Sequence, residues 1–217
     1  MVTNFSTYFL DALVTKPDLL SSNHQMTRTN DQHYIDKILA GDAQAYTFLV
    51  NRYKDMVFTL AIRMLKNREE AEEVSQDAFV KMYHKLSKFK GDSKFSTWLY
   101  KVVYNTCLDR LKKNKKDAIV LPLEAVTERQ LKTVDNALEQ MEQKERTKAV
   151  QECMALLSPN ESALLTLYYF EELTLKEISK VTDTSMNNLK VKLFRSRKKL
   201  AVIVQAKMTS EIMESYG

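Results

Sequence analysis

The chain has 217 residues, with 33 Lys and Arg against 28 Asp and Glu, a formal net charge of +5 and an apolar fraction of 44%. Its 3 Gly and 3 Pro are too few for a turn-rich all-β fold or a Gly-rich phosphate loop, and the apolar content excludes wholesale disorder. No apolar run approaches the roughly 20 residues that span a bilayer, and residues 1–22 lack a basic start while Asp11, Lys16 and Asp18 interrupt their apolar residues, so a soluble intracellular chain is expected.

Residues 1–30 have weak periodicity and end in a polar stretch, which predicts an extension with at most one short helix. Tyr46, Leu49, Tyr53, Met56, Leu60 and Met64 recur at alternating spacings of three and four, the period of an amphipathic helix. Asn67 is placed to cap the next helix, with Glu70 three residues on. That helix carries Ala71, Val74, Ala78, Met82 and Leu86 on one face, and Gly91-Asp92 breaks the chain after it. Ser96 is the expected cap of a third helix through Leu99, Val102, Val103, Cys107 and Leu111.

Residues 114–146 are mostly polar and read as a linker. Beyond it, Ser158, Pro159 and Glu161 combine a cap, a proline at the first helical position and a capping-box glutamate. Thr174 and Glu177 repeat the box ahead of a short helix with Leu175, Ile178 and Val181 inward. Thr182-Asp183-Thr184 makes a tight break, and Ser185 precedes a helix through Leu189, Leu193 and Leu200. Short helix, turn, second helix is the helix-turn-helix pattern. The expected architecture is all-α: two small helical domains, at 31–113 and 147–205, joined by the 114–146 linker, with a tail at 206–217.

The charge is segregated. Residues 67–80 carry a net −4 and residues 150–184 another −4, whereas residues 81–116 hold eleven bases against two acids and residues 185–199 hold six bases and no acid. Basic blocks interleaved with aromatic and apolar residues attract polyanions, and two of them point to nucleic acid. Cys107 and Cys153 are isolated, and His24, His33 and His84 fall in no ligand spacing, so no metal site or other cofactor is expected. No nucleophile–base pair stands out, which argues against an enzyme or a small-molecule substrate.

Two blocks carry a resemblance. Residues 69–79 (EEAEEVSQDAF) followed by 89–100 (FKGDSKFSTWLY), with Asn105, Asp109, Lys112 and Lys113 continuing the pattern, resemble region 2 of the extracytoplasmic-function (ECF) group of sigma-70-family RNA polymerase sigma factors. Residues 173–179 (LTLKEIS) with 189–200 (LKVKLFRSRKKL) are similar to the C-terminal region 4 helix-turn-helix of that family. The resemblance implies a transcription initiation factor. It would bind the β and β′ subunits of core polymerase, recognise the −10 and −35 promoter elements and promote DNA melting in the cytoplasm. It also implies an anti-sigma factor as a partner, often one that holds the factor at the membrane.

The resemblance assigns roles to residues. Glu73, Gln76 and Asp77 match the strip that docks on the polymerase clamp, and their spacing puts them on one helix face. Phe89, Lys90, Lys94, Phe95, Trp98, Tyr100, Lys101 and Asn105 match the part that reads and opens the −10 element, where aromatic faces can stack on unpaired bases. Phe95 and Trp98 are equally readable as core. Asn188, Lys190, Val191, Lys192, Phe194 and Arg195 match the −35-reading face, while Arg110, Lys112, Lys113, Arg197 and Lys198 match phosphate contacts. Lys199 reads as a further phosphate contact or a solvated end.

The chain departs from the family at several points. Asp183 stands where the family usually has Gly, and Asp tolerates the left-handed conformation better than most residues. Ser179 replaces a small Ala, Met186-Asn187-Asn188 replaces a run of small residues, and Val191 is apolar at a usually polar position. The alternative reading is a conventional helix-turn-helix regulator whose residues 31–113 sense or oligomerise. The acidic helix followed by a Phe/Trp loop argues against it.

Overall fold

A computed structural model describes residues 31–114 and 143–215, except for the side chains of 143–148 and 208–215. The extension at 1–30 and most of the linker lie outside the described residues. No strand occurs among the described residues, and the expected all-α class holds. The helices are α1 (Asp31–Leu39), α2 (Ala43–Leu65), α3 (Arg68–Lys85), α4 (Phe95–Asn114), α5 (Gln143–Ala155), α6 (Pro159–Leu165), α7 (Leu175–Thr182) and α8 (Met186–Ser215). A single 3-10 turn, Leu86–Lys88, ends α3, and a π-helical turn, Thr166–Phe170, continues α6.

The described residues fall into two compact units, 31–114 with 173–186 and 143–172 with 187–215. In the first, α2 packs on α1, α3 and α4, α3 packs on α4, and α4 also packs on α7. Asp42 starts α2 by accepting from the N–H groups of Gln44 and Ala45 at 2.8 and 3.2 Å. Lys66 ends it in a left-handed conformation (φ 58°), its N–H donating to the Ile62 carbonyl at 2.9 Å. Asn67 then caps α3 through the Glu70 N–H at 3.0 Å, as the sequence predicts. Leu49, Val57, Leu60 and Met64 of α2 and Ala71, Val74, Ala78 and Met82 of α3 are all buried, and the two helices pack on each other. Burial of side chains at such spacings is the main stabilising term for helices of this kind.

Ser96 is not the cap of α4. The helix begins at Phe95, two residues before a Ser96 cap would start it, and the Lys94 carbonyl accepts from the Trp98 N–H at 3.2 Å. Phe95 is buried, so drawing its ring into the core sets where the helix starts. Gly91, with φ 75°, makes the preceding turn in a conformation that disfavours a side chain.

Cys107 is wholly buried in α4. Burial pushes its thiol up to about 12, against smaller opposing effects of a backbone hydrogen bond and Lys81. It should resist iodoacetamide at pH 8 in the folded protein and react fully in denaturant. Mass spectrometry showing rapid native-state labelling at Cys107 would contradict this packing.

The second unit is built on local signals that the sequence displays. Pro159 opens α6, and the Ser158 N–H and hydroxyl both donate to Glu161 Oε2, at 2.9 and 2.7 Å. Val150, Cys153, Met154, Leu157, Leu164, Leu165, Leu167, Leu189, Leu193, Leu200 and Val204 are buried.

Candidate nucleic-acid and polymerase interface

On α3, Glu73, Gln76 and Asp77 are all exposed. Glu73 Oε2 accepts from the Arg110 guanidinium of α4 at 2.8 Å, and this hydrogen bond raises the Arg110 pKa. A residue expected to meet polymerase is thus tied to one expected to meet phosphate. Asn114 donates to Glu70 at 2.7 Å on the same α3–α4 seam. Val80 and Tyr83, about half exposed, extend α3 beyond the acidic strip. Sequence reasoning missed both. The available signal was that they fall off the Ala71–Val74–Ala78–Met82 stripe.

At the start of α4, three rings cluster. Phe89 lies 5.5 Å from Phe95 and 5.6 Å from Trp98, and Phe95 lies 5.6 Å from Trp98, centroid to centroid. Phe95 and Tyr100 are buried, while Phe89 and Trp98 keep partly open faces. Lys90, Lys94, Asn105, Lys112 and Lys113 are exposed, and Lys101 and Arg110 are half-exposed. Two of these lysines have carboxylate partners near the helix-turn-helix: Lys94 Nζ is 3.0 Å from Glu177, and Lys101 Nζ is 2.6 Å from Asp183. Lys180 returns the contact by donating to the Asp92 carbonyl at 2.8 Å.

Thr174 and Glu177 form the full capping box of α7. The Thr174 N–H and hydroxyl donate to Glu177 Oε2 at 2.9 and 2.8 Å, and the Glu177 N–H donates to Thr174 Oγ1 at 3.2 Å. Burial alone would raise the Glu177 pKa, but hydrogen bonds from Thr174 and Lys94 outweigh it and hold the carboxyl below its ordinary value. Asp183 ends α7 at φ 50°, the left-handed conformation expected of it.

On α8, Asn188, Lys190, Val191, Lys192, Phe194 and Arg195 are all exposed. The basic residues after them are not uniform. Arg197 is half-buried, its guanidinium 5.5 and 5.1 Å from the rings of Tyr168 and Tyr169. Lys198 Nζ sits 5.0 Å over the Phe194 ring. Lys199 is buried and donates to Glu161 Oε2 at 2.9 Å, so it is neither a solvated end nor free to meet phosphate in this structure. The described residues hold no group of three or more His, Cys, Asp or Glu that could bind a metal ion, and none of their helices is long and apolar enough to cross a membrane.

These positions coincide with two family matches: sigma-70 region 2 over residues 49–117 and sigma-70 region 4 over residues 147–200. The ECF RNA polymerase sigma factor SigW of Bacillus subtilis (strain 168) is 31% identical over 172 residues, covering 76% of this chain and 92% of that protein. The RNA polymerase sigma-H factor of Pseudomonas aeruginosa is 29% identical over 190 residues, covering 83% of this chain and 96% of that one. Among solved structures, CnrH in complex with the cytosolic domain of CnrY superposes with a TM-score of 0.56 at 20% identity, over 81% of this chain and 97% of that one. The sigma factor RpoE of Bartonella quintana, in complex with the anti-sigma factor NepR, gives 0.54 at 14% identity, over 75% and 98%. With both regions matched in order and a relative spanned almost end to end, the chain belongs to the ECF group of the sigma-70 family, an RNA polymerase sigma factor and not an enzyme.

Proposed function

We propose that this factor reads the −10 element with the Phe89–Trp98 cluster and α4, reads the −35 element with α8, and docks on core polymerase through Glu73, Gln76 and Asp77. The observation that carries the reading is one arrangement. The helix that bears the exposed acidic strip, α3, packs against the basic α4, at whose start Phe89 and Trp98 keep half-open ring faces. Acidic residues suit a basic protein surface rather than DNA, while lysines and ring faces suit an unpaired strand.

Within that reading, Phe89 and Trp98 present stacking faces, and the buried Phe95 and Tyr100 fix the backbone beneath them. Lys90, Lys94, Lys101, Arg110, Lys112 and Lys113 neutralise the strand, with Asn105 as a hydrogen-bonding residue. Lys198 is a phosphate contact, and Arg197 becomes one on leaving its tyrosines. The domain bounds put forward are those of the sequence reading, 31–113 and 147–205, although residues 173–186 pack with the first compact unit. An anti-sigma factor that covers these surfaces completes the proposal, supported by the two structural neighbours solved with CnrY and NepR. The factor would act in the cytoplasm, alone or held at the membrane through that partner.

The test is transcription from a genomic library by core polymerase with and without the chain. Promoter-specific transcripts are expected only with both, and their absence counts against the reading. Gln76→Lys with Asp77→Lys, which spares the Glu73–Arg110 pair, is expected to weaken core binding by about tenfold or more without lowering the melting temperature. Equal core affinity in fluorescence titration would remove α3 as the docking strip.

A further inference from the structure

The exposed face of α8 carries an apolar pair whose position implies what the helix reads. Leu189, Leu193, Ser196 and Leu200 are buried and form one stripe along the helix. At about 100° per residue, Val191 lies almost opposite the centre of that stripe, with Lys190 and Lys192 about 100° to either side of it. Phe194 follows one turn later on the same outward face. Val191 is 49% and Phe194 48% exposed. Lys190, Lys192, Arg195 and Lys198 lie near this pair and residues 185–199 contain no acid, so the surface around it fits a polyanion rather than a protein of mixed charge.

A helix lying in the major groove turns its outermost side chains to the base edges and its flanking ones to the two phosphate walls. Here the flanking residues are lysines and the outermost is a valine. Valine cannot hydrogen-bond. Set against the N7 and O6 of guanine or the amino group of cytosine, it would strip water from polar atoms and give nothing back. The major-groove floor offers one apolar group, the C5 methyl of thymine.

Resting on the reading of α8 as the −35-recognising helix, we infer that this factor selects promoters carrying a thymine whose methyl group packs on Val191. Phe194 borders the same contact. Its ring lies 5.0 Å from the Lys198 ammonium, which sets a cation beside that apolar face. Val191 therefore adds selection for a methyl group at one base pair, beside the hydrogen-bonding Asn188 and Arg195 exposed on the same side of the helix.

The test uses the full chain assembled with core polymerase. Double-stranded DNA is first selected from a library randomised upstream of a fixed −10 segment. Each thymine of the enriched −35 segment is then replaced singly by deoxyuridine, which removes only the C5 methyl. One position should lose about three- to fivefold in affinity, the worth of a buried methyl group, and the loss should vanish in Val191→Ala. Cytosine at that position should bind weakly, and 5-methylcytosine should recover part of the difference. Neutral deoxyuridine replacement at every thymine, or a loss that persists unchanged in Val191→Ala, would overturn the inference while leaving promoter reading intact. Failure to enrich any −35 segment would instead overturn the promoter-reading proposal on which it rests.

Discussion

Holoenzyme carrying Phe89→Ala and Trp98→Ala is expected to bind promoter duplex but to open it poorly. Each ring face that stacks on an unpaired base contributes roughly 1–3 kcal/mol, so the open-complex yield should fall by at least about thirtyfold for the pair. Permanganate reactivity of unpaired thymines reads the opening, and footprinting of the upstream duplex reads the binding. The two rings contact Phe95, so the variant's thermal stability must be measured beside them. Normal permanganate reactivity in a folded variant would assign melting to other residues. The single variant Trp98→Phe, which keeps a ring, should retain most of the activity.

The largest stability effect is expected at Glu161. Its carboxylate accepts from the Ser158 N–H and hydroxyl and from the buried Lys199 ammonium. Glu161→Ala removes the cap of α6 and strands a charge in a low-dielectric site. Breaking a fully buried pair from one side costs about 3–5 kcal/mol; with the Glu161 side chain 26% exposed, the loss here should fall at or below the lower figure. Urea denaturation measures it. Glu161→Leu with Lys199→Met, which removes both charges, should cost much less than Glu161→Ala. Equal losses would show that the cap, not the stranded ammonium, dominates.

The same carboxylate carries a pH signature. Burial alone would raise the Glu161 pKa, but the Ser158 and Lys199 hydrogen bonds outweigh it and leave the value depressed. Glu177 is depressed in the same way. A carboxyl whose folded value lies below its unfolded one of about 4.3 stabilises fully above that pH and loses the contribution as the pH falls through the folded value. Acid unfolding should therefore begin below about pH 4.3, and Glu161→Leu with Lys199→Met should flatten it.

What was legible in the sequence was local. Asn67 with Glu70, Ser158 with Glu161, Thr174 with Glu177 and the left-handed Asp183 are decided within four residues, and the structure contains each of them. The α4 face was only partly legible. A stripe through Leu99, Val102, Val103, Cys107 and Leu111 was visible, yet Val102 and Leu111 are only half-buried, while Thr97, Tyr100, Tyr104 and Thr106 are buried. The helix packs on α2, α3 and α7 together, so its buried arc is wider than one stripe. The partners of Lys94, Lys101 and Lys199 were not legible at all. They lie 38 to 83 residues away in sequence, and only the tertiary fold brings them within reach.

The ion pairs bear on how this protein should respond to salt. The sequence displays eleven bases in one block and six in the other. Lys81, Lys94, Lys101 and Arg110 already face Asp109, Glu177, Asp183 and Glu73, and Lys199 faces Glu161. Condensed cations leave the DNA only where a base neutralises a phosphate. A base that keeps its carboxylate partner neutralises none, so these five do not add to the slope while their ion pairs persist. The slope of log affinity against log salt, about −0.9 per phosphate neutralised on duplex, should therefore be shallower than a count of lysines and arginines suggests.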